Sequence, residues 1–415
     1  MPVFPKLRAL VSRSRGNTTA GRPRRRDRAV ALEFLETRDL PAIGIPAITL
    51  ADQFNLNPGG FASIPPDTMG AVGPNHFVEV INSSLAIYNK TTGARIQYVN
   101  PDTFFGSVQL GGTFDPRVVY DRESGRWFMT IMEFGSTSAG NDVLLAVSKN
   151  SNPAYAVNPT DSWNFYRLGM KVPQAGSVTT FTDYSSLGVD SNGVYFGATY
   201  FPSSGAAYVK MFATPKAPLI AASPSLGTVT ATGNVTDMSS TPQPTTALDP
   251  VTGSTAAFFL GSSTTLFANV TYRSVTWSGA TPTIAASTST LVTPVYGAVR
   301  NAPTSGSTTA INAGDDRIQQ VIERNGSVYA TRNVGLNSAG GGTSTTRTGV
   351  EWLQFNVSGT TLTLNQSGRV FDSATTNAFS YYYPSLTVTG QGIVRMAYSG
   401  SNATSFVNAY SSVHR

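Results

Sequence analysis

The chain has 415 residues, of which 13% are charged, about half of the ~25% that is usual for soluble domains. It contains no cysteine, so a disulfide scaffold, a thiolate metal site and a cysteine nucleophile are excluded. Hydrophobic residues make up 40% of the chain, which is enough for a core, and no window approaches the ~18–20 consecutive apolar residues of a membrane span. We therefore expect a globular protein without a transmembrane segment.

The net charge of +6 belongs to the N-terminus. Residues 1–40 contain ten basic and four acidic residues, and the 19 basic and 19 acidic residues of the remainder cancel. The sequence thus divides into a basic targeting or disordered tail, residues 1–45, and a neutral β-propeller domain, residues 46–415. Because a nucleic-acid-binding domain needs a basic face, we expect no nucleic-acid partner.

The tail ends in Leu32-Glu-Phe-Leu-Glu-Thr-Arg-Asp-Leu-Pro41, with two Leu-Glu pairs, an arginine and a Leu-Pro step. This stretch resembles the N-terminal LExLExRxLP sorting motif of large surface and secreted proteins from planctomycete-type bacteria. The resemblance implies export, processing near Pro41 and a location outside the cell or at its surface. A short amphipathic helix with Leu32 and Leu35 on one face is the alternative.

From about residue 46 onward, short apolar runs bounded by Gly, Pro, Asn and Ser predict strands throughout. One module recurs: a polar lead-in, an apolar strand, a turn that usually contains glycine, and a second apolar strand. The last apolar residues before the turn are Val72, Tyr120, Val189, Leu248, Ile322 and Val388. Their intervals leave room for two further strands per module. The repeat predicts an all-β propeller of about six four-stranded blades, or seven with the last incomplete.

The end of the chain leaves room for only one strand after the last hairpin, so the last blade should be one strand short. The segment Ile45–Leu56 contains strand-like residues, and we expect it to pair with the C-terminal blade and close the ring as a monomer. The alternative is that the chain is short by most of a blade.

Aspartates occupy equivalent positions in four modules. Asp67, Asp115, Asp183 and Asp316 lie five or six residues before the aligned apolar position. In a propeller this lead-in lies near one mouth of the central channel, so the carboxylates would form a ring there. The ring predicts a ligand site for a hydroxyl-rich molecule such as a glycan, and it is compatible with a bound cation such as calcium. The alternative is that each aspartate accepts backbone N–H hydrogen bonds from its own turn or from a neighbouring blade.

Aromatic residues offer a second candidate surface. Tyr381, Tyr382 and Tyr383 cannot all face inward along a strand, which predicts an exposed ligand-binding patch. The four tryptophans lie in strand-like runs, so we expect them to pack between blades. With only two histidines, a His-rich metal site is excluded, and we assign no catalytic residue, no metal ligand and no cofactor.

Two stretches carry a family resemblance: Pro65-Pro-Asp-Thr-Met-Gly-Ala-Val-Gly-Pro-Asn-His-Phe-Val-Glu-Val and Asp115-Pro-Arg-Val-Val-Tyr-Asp with Gly125-Arg-Trp-Phe. They resemble a family of secreted bacterial β-propellers that is distantly sialidase-like. The resemblance spans most of residues 60–415 and implies an extracellular role without agreed catalytic residues. The repeated Ser-x-Asp-x-Gly-x-x-Trp turns of true sialidases do not occur in this sequence.

Two functions remain. The first is an exported, non-catalytic binding or structural module at the cell surface, with an extracellular glycan or a surface protein as partner. The alternative is a glycan-acting hydrolase that uses carboxylates at the channel mouth as acid and base. A hydrolase would need Arg, Tyr or Glu beside the aspartates, whereas most turns offer Ser, Thr and Gly. The sequence therefore favours the binding module.

Overall fold

The structure is a computed structural model, and it describes residues 47–57, 59–134, 142–170, 180–238, 241–250, 255–263 and 267–414. The basic tail, including the stretch that resembles a sorting motif, lies outside these residues. No helix within them is long and apolar enough to cross a membrane.

Six sheets follow one another along the chain. The first contains β1 (Met69–Val72), β2 (His76–Ile81), β3 (Ser84–Asn89) and β4 (Arg95–Val99), and the second contains β5 (Thr113–Asp121), β6 (Arg126–Glu133), β7 (Val143–Ser148) and β8 (Trp163–Leu168). The third contains β9 (Thr180–Asp183), β10 (Gly188–Val189), β11 (Gly193–Pro202), β12 (Tyr208–Pro215) and β13 (Thr230–Ala231).

The fourth sheet contains β14 (Gln243–Pro244), β16 (Ala257–Ser262), β17 (Asn269–Ser278), β18 (Thr281–Ile284) and β19 (Ser289–Val292). The fifth contains β15 (Thr246–Ala247), β20 (Ile318–Arg324), β21 (Ser327–Leu336), β22 (Arg347–Ser358) and β23 (Thr361–Val370), and the sixth contains β24 (Ser380–Val388), β25 (Val394–Asn402) and β26 (Ser405–His414). The helices are short: α1 (Leu50–Leu56), α2 (Pro101–Phe104), α3 (Pro159–Ser162) and α4 (Lys216–Ile220).

The core consists of apolar layers between successive sheets. Neighbouring side chains of one strand enter different layers: Trp127 packs toward the first sheet with Val78, and Phe128 packs toward the third with Val189. Further layers join the third and fourth, the fourth and fifth, and the fifth and sixth sheets. Because central strands are buried on both faces, their sequences are apolar runs rather than alternating ones. The prediction of a six-bladed, all-β propeller is confirmed, and the tryptophans pack in or beside these layers as expected.

The fourth module departs from the sequence alignment. Its lead strand is split, so that β14 pairs with β16 of the fourth sheet, whereas β15 pairs in parallel with β20 of the fifth. The Leu248 backbone N–H donates to the Glu323 carbonyl at 2.9 Å, which also places Leu248 beside the fifth blade. The hairpin alignment was therefore wrong at this one position.

The segment that precedes β1 covers the outer face of the first blade. The Ile48 N–H and the Tyr88 hydroxyl both donate to Glu79 Oε2 at 3.0 Å, and the Ser83 hydroxyl donates to Gln53 Oε1 at 3.1 Å. The expected strand over Ile45–Leu56 is wrong, because Leu50–Leu56 forms α1 and contacts the first blade instead of the last. A capping box between Thr49 and Asp52 explains the helix.

Candidate functional site

A non-glycine residue with a left-handed backbone lies at or near the start of the innermost strand in five of the six blades. These residues are Asp67 (φ 47°), Asp115 (φ 51°), Tyr184 (φ 57°), Thr241 (φ 59°) and Tyr383 (φ 53°). The strand ladder is interrupted there, with register shifts between Phe114 and Arg117 and between Tyr382 and Ser385. Non-glycine residues rarely adopt this conformation, and its recurrence at one end of the blades is characteristic of a functional region.

Side chains of one blade bind the left-handed residue of the next. Asn82 Oδ1 accepts from the Asp115 N–H (2.8 Å), Asp115 Oδ2 from the Tyr184 N–H (3.1 Å), Thr199 Oγ1 from the Thr241 N–H (2.9 Å) and Asn333 Oδ1 from the Tyr383 N–H (2.8 Å). These bonds satisfy backbone groups that the interrupted ladder leaves unpaired. They also hold the blades together at this end of the channel.

Asp115 lies at the centre of a carboxylate cluster. Its side chain is buried, and the Asp183 carboxyl group comes close enough for a hydrogen bond between the two. Burial, the charge and hydrogen bond of Asp183, and the charge of Asp67 raise the pKa of Asp115 to about 8, while Arg117 opposes the shift. The Asp115 carboxyl group therefore carries a proton at neutral pH. The Asn82 amide holds the third carboxylate, donating to Asp67 Oδ2 at 2.6 Å.

Two arginines and two tyrosines surround these carboxylates. The guanidinium groups of Arg117 and Arg317 lie 4.4 and 4.8 Å from the centre of the Tyr184 ring. Arg317 also forms two 2.7 Å bonds with the Asp315 carboxylate. Burial and the nearby Tyr184 raise the pKa of Tyr383. Residues from the second, third, fifth and sixth blades thus converge beside the aspartates, which is the supporting set that sequence reasoning did not find.

Asp67, Asp115 and Asp183 come together, but Asp316 does not join them. Asp316 Oδ2 accepts from the Tyr296 hydroxyl at 2.7 Å, and the Ser262 hydroxyl donates to the Asp316 carbonyl oxygen. Its neighbour Asp315 faces the cluster through Arg317. In the fifth blade the positive-φ residue is Gly314, which precedes Asp315 and Asp316 and presents no side chain of its own. A ligand-binding role for these aspartates stays a prediction.

The three consecutive tyrosines have three different environments. Tyr382 is buried, and its hydroxyl lies 3.1 Å from Ser401 Oγ. Tyr381 packs edge-on against Tyr398 and Tyr410. Tyr383, 47% exposed, is the member that reaches the candidate site. The expectation of an exposed patch formed by all three rings is wrong. Strand alternation buries Tyr382, and the left-handed conformation of Tyr383 directs its side chain toward the candidate site.

An aromatic column lies beside Asp115 and Asp183. Phe114 stacks on Phe134 with ring centres 4.4 Å apart, and on Phe181 at 6.0 Å with an interplanar angle of 10°. Phe134 and Phe181 are exposed. The column crosses from the second blade to the third, since Phe114 precedes Asp115 and Phe181 precedes Asp183 by two residues. We call these three rings the phenylalanine column.

A cation site gains no support from the described residues. No group of three or more His, Cys, Asp or Glu residues among them could hold a metal ion. Asp67 accepts a hydrogen bond from Asn82, Asp115 accepts one from the Tyr184 N–H, and Asp115 and Asp183 are hydrogen-bonded to each other. These bonds use carboxylate oxygens that an ion would need.

No protein-family model matches the sequence, and no curated protein matches it. Solved structures show a distant similarity to sialidase-like β-propellers. The haemagglutinin-neuraminidase of parainfluenza virus 5 is 9% identical with a TM-score of 0.40, over 88% of this chain and 96% of that one. A subtype N11 neuraminidase-like protein of A/flat-faced bat/Peru/033/2010 is 10% identical (TM-score 0.38, 84% and 85%), and an α-L-arabinofuranosidase from Lactobacillus brevis is 12% identical (TM-score 0.36, 84% and 89%). At these values the likeness concerns the fold, and no residue role is transferred.

Proposed function

We propose that the protein is a glycan-acting hydrolase whose chemistry takes place at the carboxylate cluster of Asp67, Asp115 and Asp183. The observation that carries the proposal is a buried carboxyl group, Asp115, with a pKa of about 8 beside two further carboxylates. Cleavage of a glycosidic bond needs one carboxyl group that donates a proton and a second that activates water or attacks the sugar. Neighbouring carboxyl groups in unequal environments are the usual way to obtain both at one pH.

Asp115 is the proton donor in this proposal. A group with a pKa of about 8 is protonated at neutral pH, and it donates the proton to the leaving oxygen as the bond to the sugar breaks. The Tyr184 N–H donates to Asp115 Oδ2, and Asn82 Oδ1 accepts from the Asp115 backbone N–H. The carboxyl group and its proton are therefore held in one orientation. Asp67 is the candidate for the second carboxylate, because Asp183 is hydrogen-bonded to Asp115 and so lies closer than the ~5–9.5 Å that separates the two carboxyl groups of glycosidases.

The remaining residues of the cluster would position the substrate. Arg317 and Tyr383 are partly exposed and present donors to sugar hydroxyl groups, while Arg117 holds Tyr184 in place. The phenylalanine column adds an apolar surface beside the carboxylates, as glycan-binding sites require for the C–H face of a sugar ring.

The non-catalytic module that the sequence favoured loses its main argument. That expectation depended on the absence of Arg and Tyr beside the aspartates, and the fold brings Arg117, Arg317, Tyr184 and Tyr383 there. A location outside the cell or at its surface depends on the tail motif and on the resemblance to secreted propellers, and it stays a prediction.

The proposal is tested by release of reducing ends from a panel of neutral and acidic polysaccharides. We expect the Asp115→Asn variant to lose about 10²–10⁴-fold in kcat/KM, because asparagine keeps the acceptor for the Tyr184 N–H but has no proton to donate. Asp190→Asn is the matched control: Asp190 is also buried and accepts turn N–H groups, but from Asn192 and Gly193. It should retain activity.

The pH profile gives a second readout. Activity should fall as pH rises through about 8, where Asp115 loses its proton. If the wild-type protein binds a glycan of the panel but does not cleave it, the protein is a binding module and not a hydrolase. Absence of both binding and cleavage would overturn the proposal.

A further inference from the structure

The sixth sheet has one strand fewer than the complete blades. It contains β24, β25 and β26, whereas the other five sheets contain four or five strands. β26 pairs with β25 along Val394–Asn402, and its other edge has no strand partner among the described residues. One backbone bond reaches its first residue, from the Ser305 N–H to the Ser405 carbonyl at 3.1 Å. Within the part of the chain that the structure describes, the edge formed by residues 406–414 is otherwise unpaired.

The outer edges of the other blades carry features that discourage pairing with another chain. β4, β8 and β23 each contain an arginine, namely Arg95, Arg167 and Arg369. β13 has two residues, β18 and β19 have four each, and β18 includes Pro282. Charged side chains, proline and short length are the usual protections of edge strands.

β26 has none of these protections. It is ten residues long, Ser-Phe-Val-Asn-Ala-Tyr-Ser-Ser-Val-His, without Asp, Glu, Lys, Arg or Pro. Three of its apolar side chains are exposed: Phe406 (68%), Val407 (45%) and Val413 (50%). A long, uncharged edge with exposed apolar residues is the type of strand that pairs with another.

We propose that β26 pairs antiparallel with β26 of a second copy of this chain, around a two-fold axis. Each copy then supplies the fourth strand that the other lacks, and two three-stranded sheets become one of six. The absence of charge makes the strand compatible with itself, because no like charges come to lie opposite each other. Closed two-fold dimers are also the commonest symmetric assembly. The proposal replaces the expectation of a monomer and is independent of the hydrolase assignment.

The natural lack of cysteine provides a direct test. In an antiparallel pair, a residue near the two-fold axis lies opposite its own copy. Single cysteines at Val407, Ala409, Ser411 and Val413 should therefore form intermolecular disulfides under mild oxidation, most efficiently at one position and less at the others. Thr363→Cys is the matched control, since Thr363 is exposed near the start of the protected outer strand β23. It should give only background cross-linking.

Sedimentation analysis completes the test. The wild-type chain should show twice the mass of one chain, and Val407→Lys with Val413→Lys should halve it while the far-ultraviolet spectrum stays unchanged. Ile96→Lys, on outer strand β4, should leave the dimer intact. A monomeric wild type, or equal cross-linking at Thr363 and in β26, would overturn the proposal. Dimerisation only after deletion of residues 1–43 would also overturn it for the full chain, because the edge would then be occupied in cis.

Discussion

The first and last blades end the propeller in different ways. The first blade is buried on both faces of β3, since Leu85 and Ile87 pack toward the second blade and Ala86 and Tyr88 lie under the segment that contains α1. The last blade is buried on one face only. Along β24 and β25 buried and exposed residues alternate, and no apolar core layer among the described residues joins the sixth sheet to the first.

The difference shows what a blade needs from its surroundings. Inner blades obtain two apolar neighbours from the repeat itself, whereas a terminal blade needs a cap or a polar outer face, as the terminal units of repeat proteins do. The first blade has a cap held by Glu79 and Gln53. The last blade has a partly polar face with Ser385, Thr387 and Arg395 exposed.

The largest effect should follow from removing the layer that holds the last blade. Trp352→Ala is expected to cost about 3–5 kcal/mol, because the side chain is buried between the fifth and sixth blades. Since this blade has no second layer, hydrogen exchange should accelerate in β24, β25 and β26 more than in β2 and β3. Uniform acceleration through all blades would contradict the one-sided attachment.

Deleting the cap should have the next largest effect. Removal of residues 1–57 leaves Glu79 without the Ile48 N–H and exposes the face of β3, at an expected cost of about 2–4 kcal/mol in urea unfolding. Removal of residues 1–43 serves as the control and should leave stability nearly unchanged. Equal losses from both deletions would show that the capping function lies in the tail.

A smaller effect depends on pH. The pKa of Asp115 is about 8 in the folded protein against 3.8 for the free side chain, so the folded state binds an extra proton between these values. Its contribution is fully present below pH 3.8 and is lost as pH rises through about 8. Asp115→Asn should flatten the stability profile between pH 5 and 9 and raise stability at the alkaline end, as measured by urea unfolding. An unchanged slope would contradict the raised pKa.

The smallest effect compares one chemical change on the two terminal faces. Ala86→Ser places a hydroxyl group under the cap, where Ala86 is 0% exposed, and should cost about 1–3 kcal/mol. Ala397→Ser lies on the open face of the last blade and should stay within about 0.5 kcal/mol. Thermal unfolding of both variants measures the difference. Similar losses would show that the open face is covered in solution.

The sequence predicted the blades because each hairpin leaves a local signal of apolar strands around a turn. Sequence-based prediction failed where a strand pairs with a strand of the next blade. Leu248 directly follows β15, whose partner strand β20 is 76 residues away (Thr246 to Ile322), and nothing local distinguishes β14 from β15. The error at Ile45–Leu56 was avoidable, since Thr49 and Asp52 form a recognisable capping box.

The candidate site was predicted in part. The spacing of Asp67, Asp115 and Asp183 indicated their convergence, because equivalent positions of a propeller meet at one mouth. Arg117 and Arg317 were missed because the alignment emphasised the aspartates, although each arginine follows such a position by one or two residues. Tyr184 and Tyr383 are placed by left-handed backbone conformations. In residues other than glycine, the sequence gives no signal that predicts this conformation.

The left-handed residues at the channel mouth are different residues from those that pack each sheet. Five of the six blades present one side chain through the same left-handed backbone conformation, while other residues pack the sheet. Asp67, Asp115, Tyr184, Thr241 and Tyr383 already show three residue types at this one position. The side chains displayed at the mouth can therefore be changed one blade at a time without repacking a sheet.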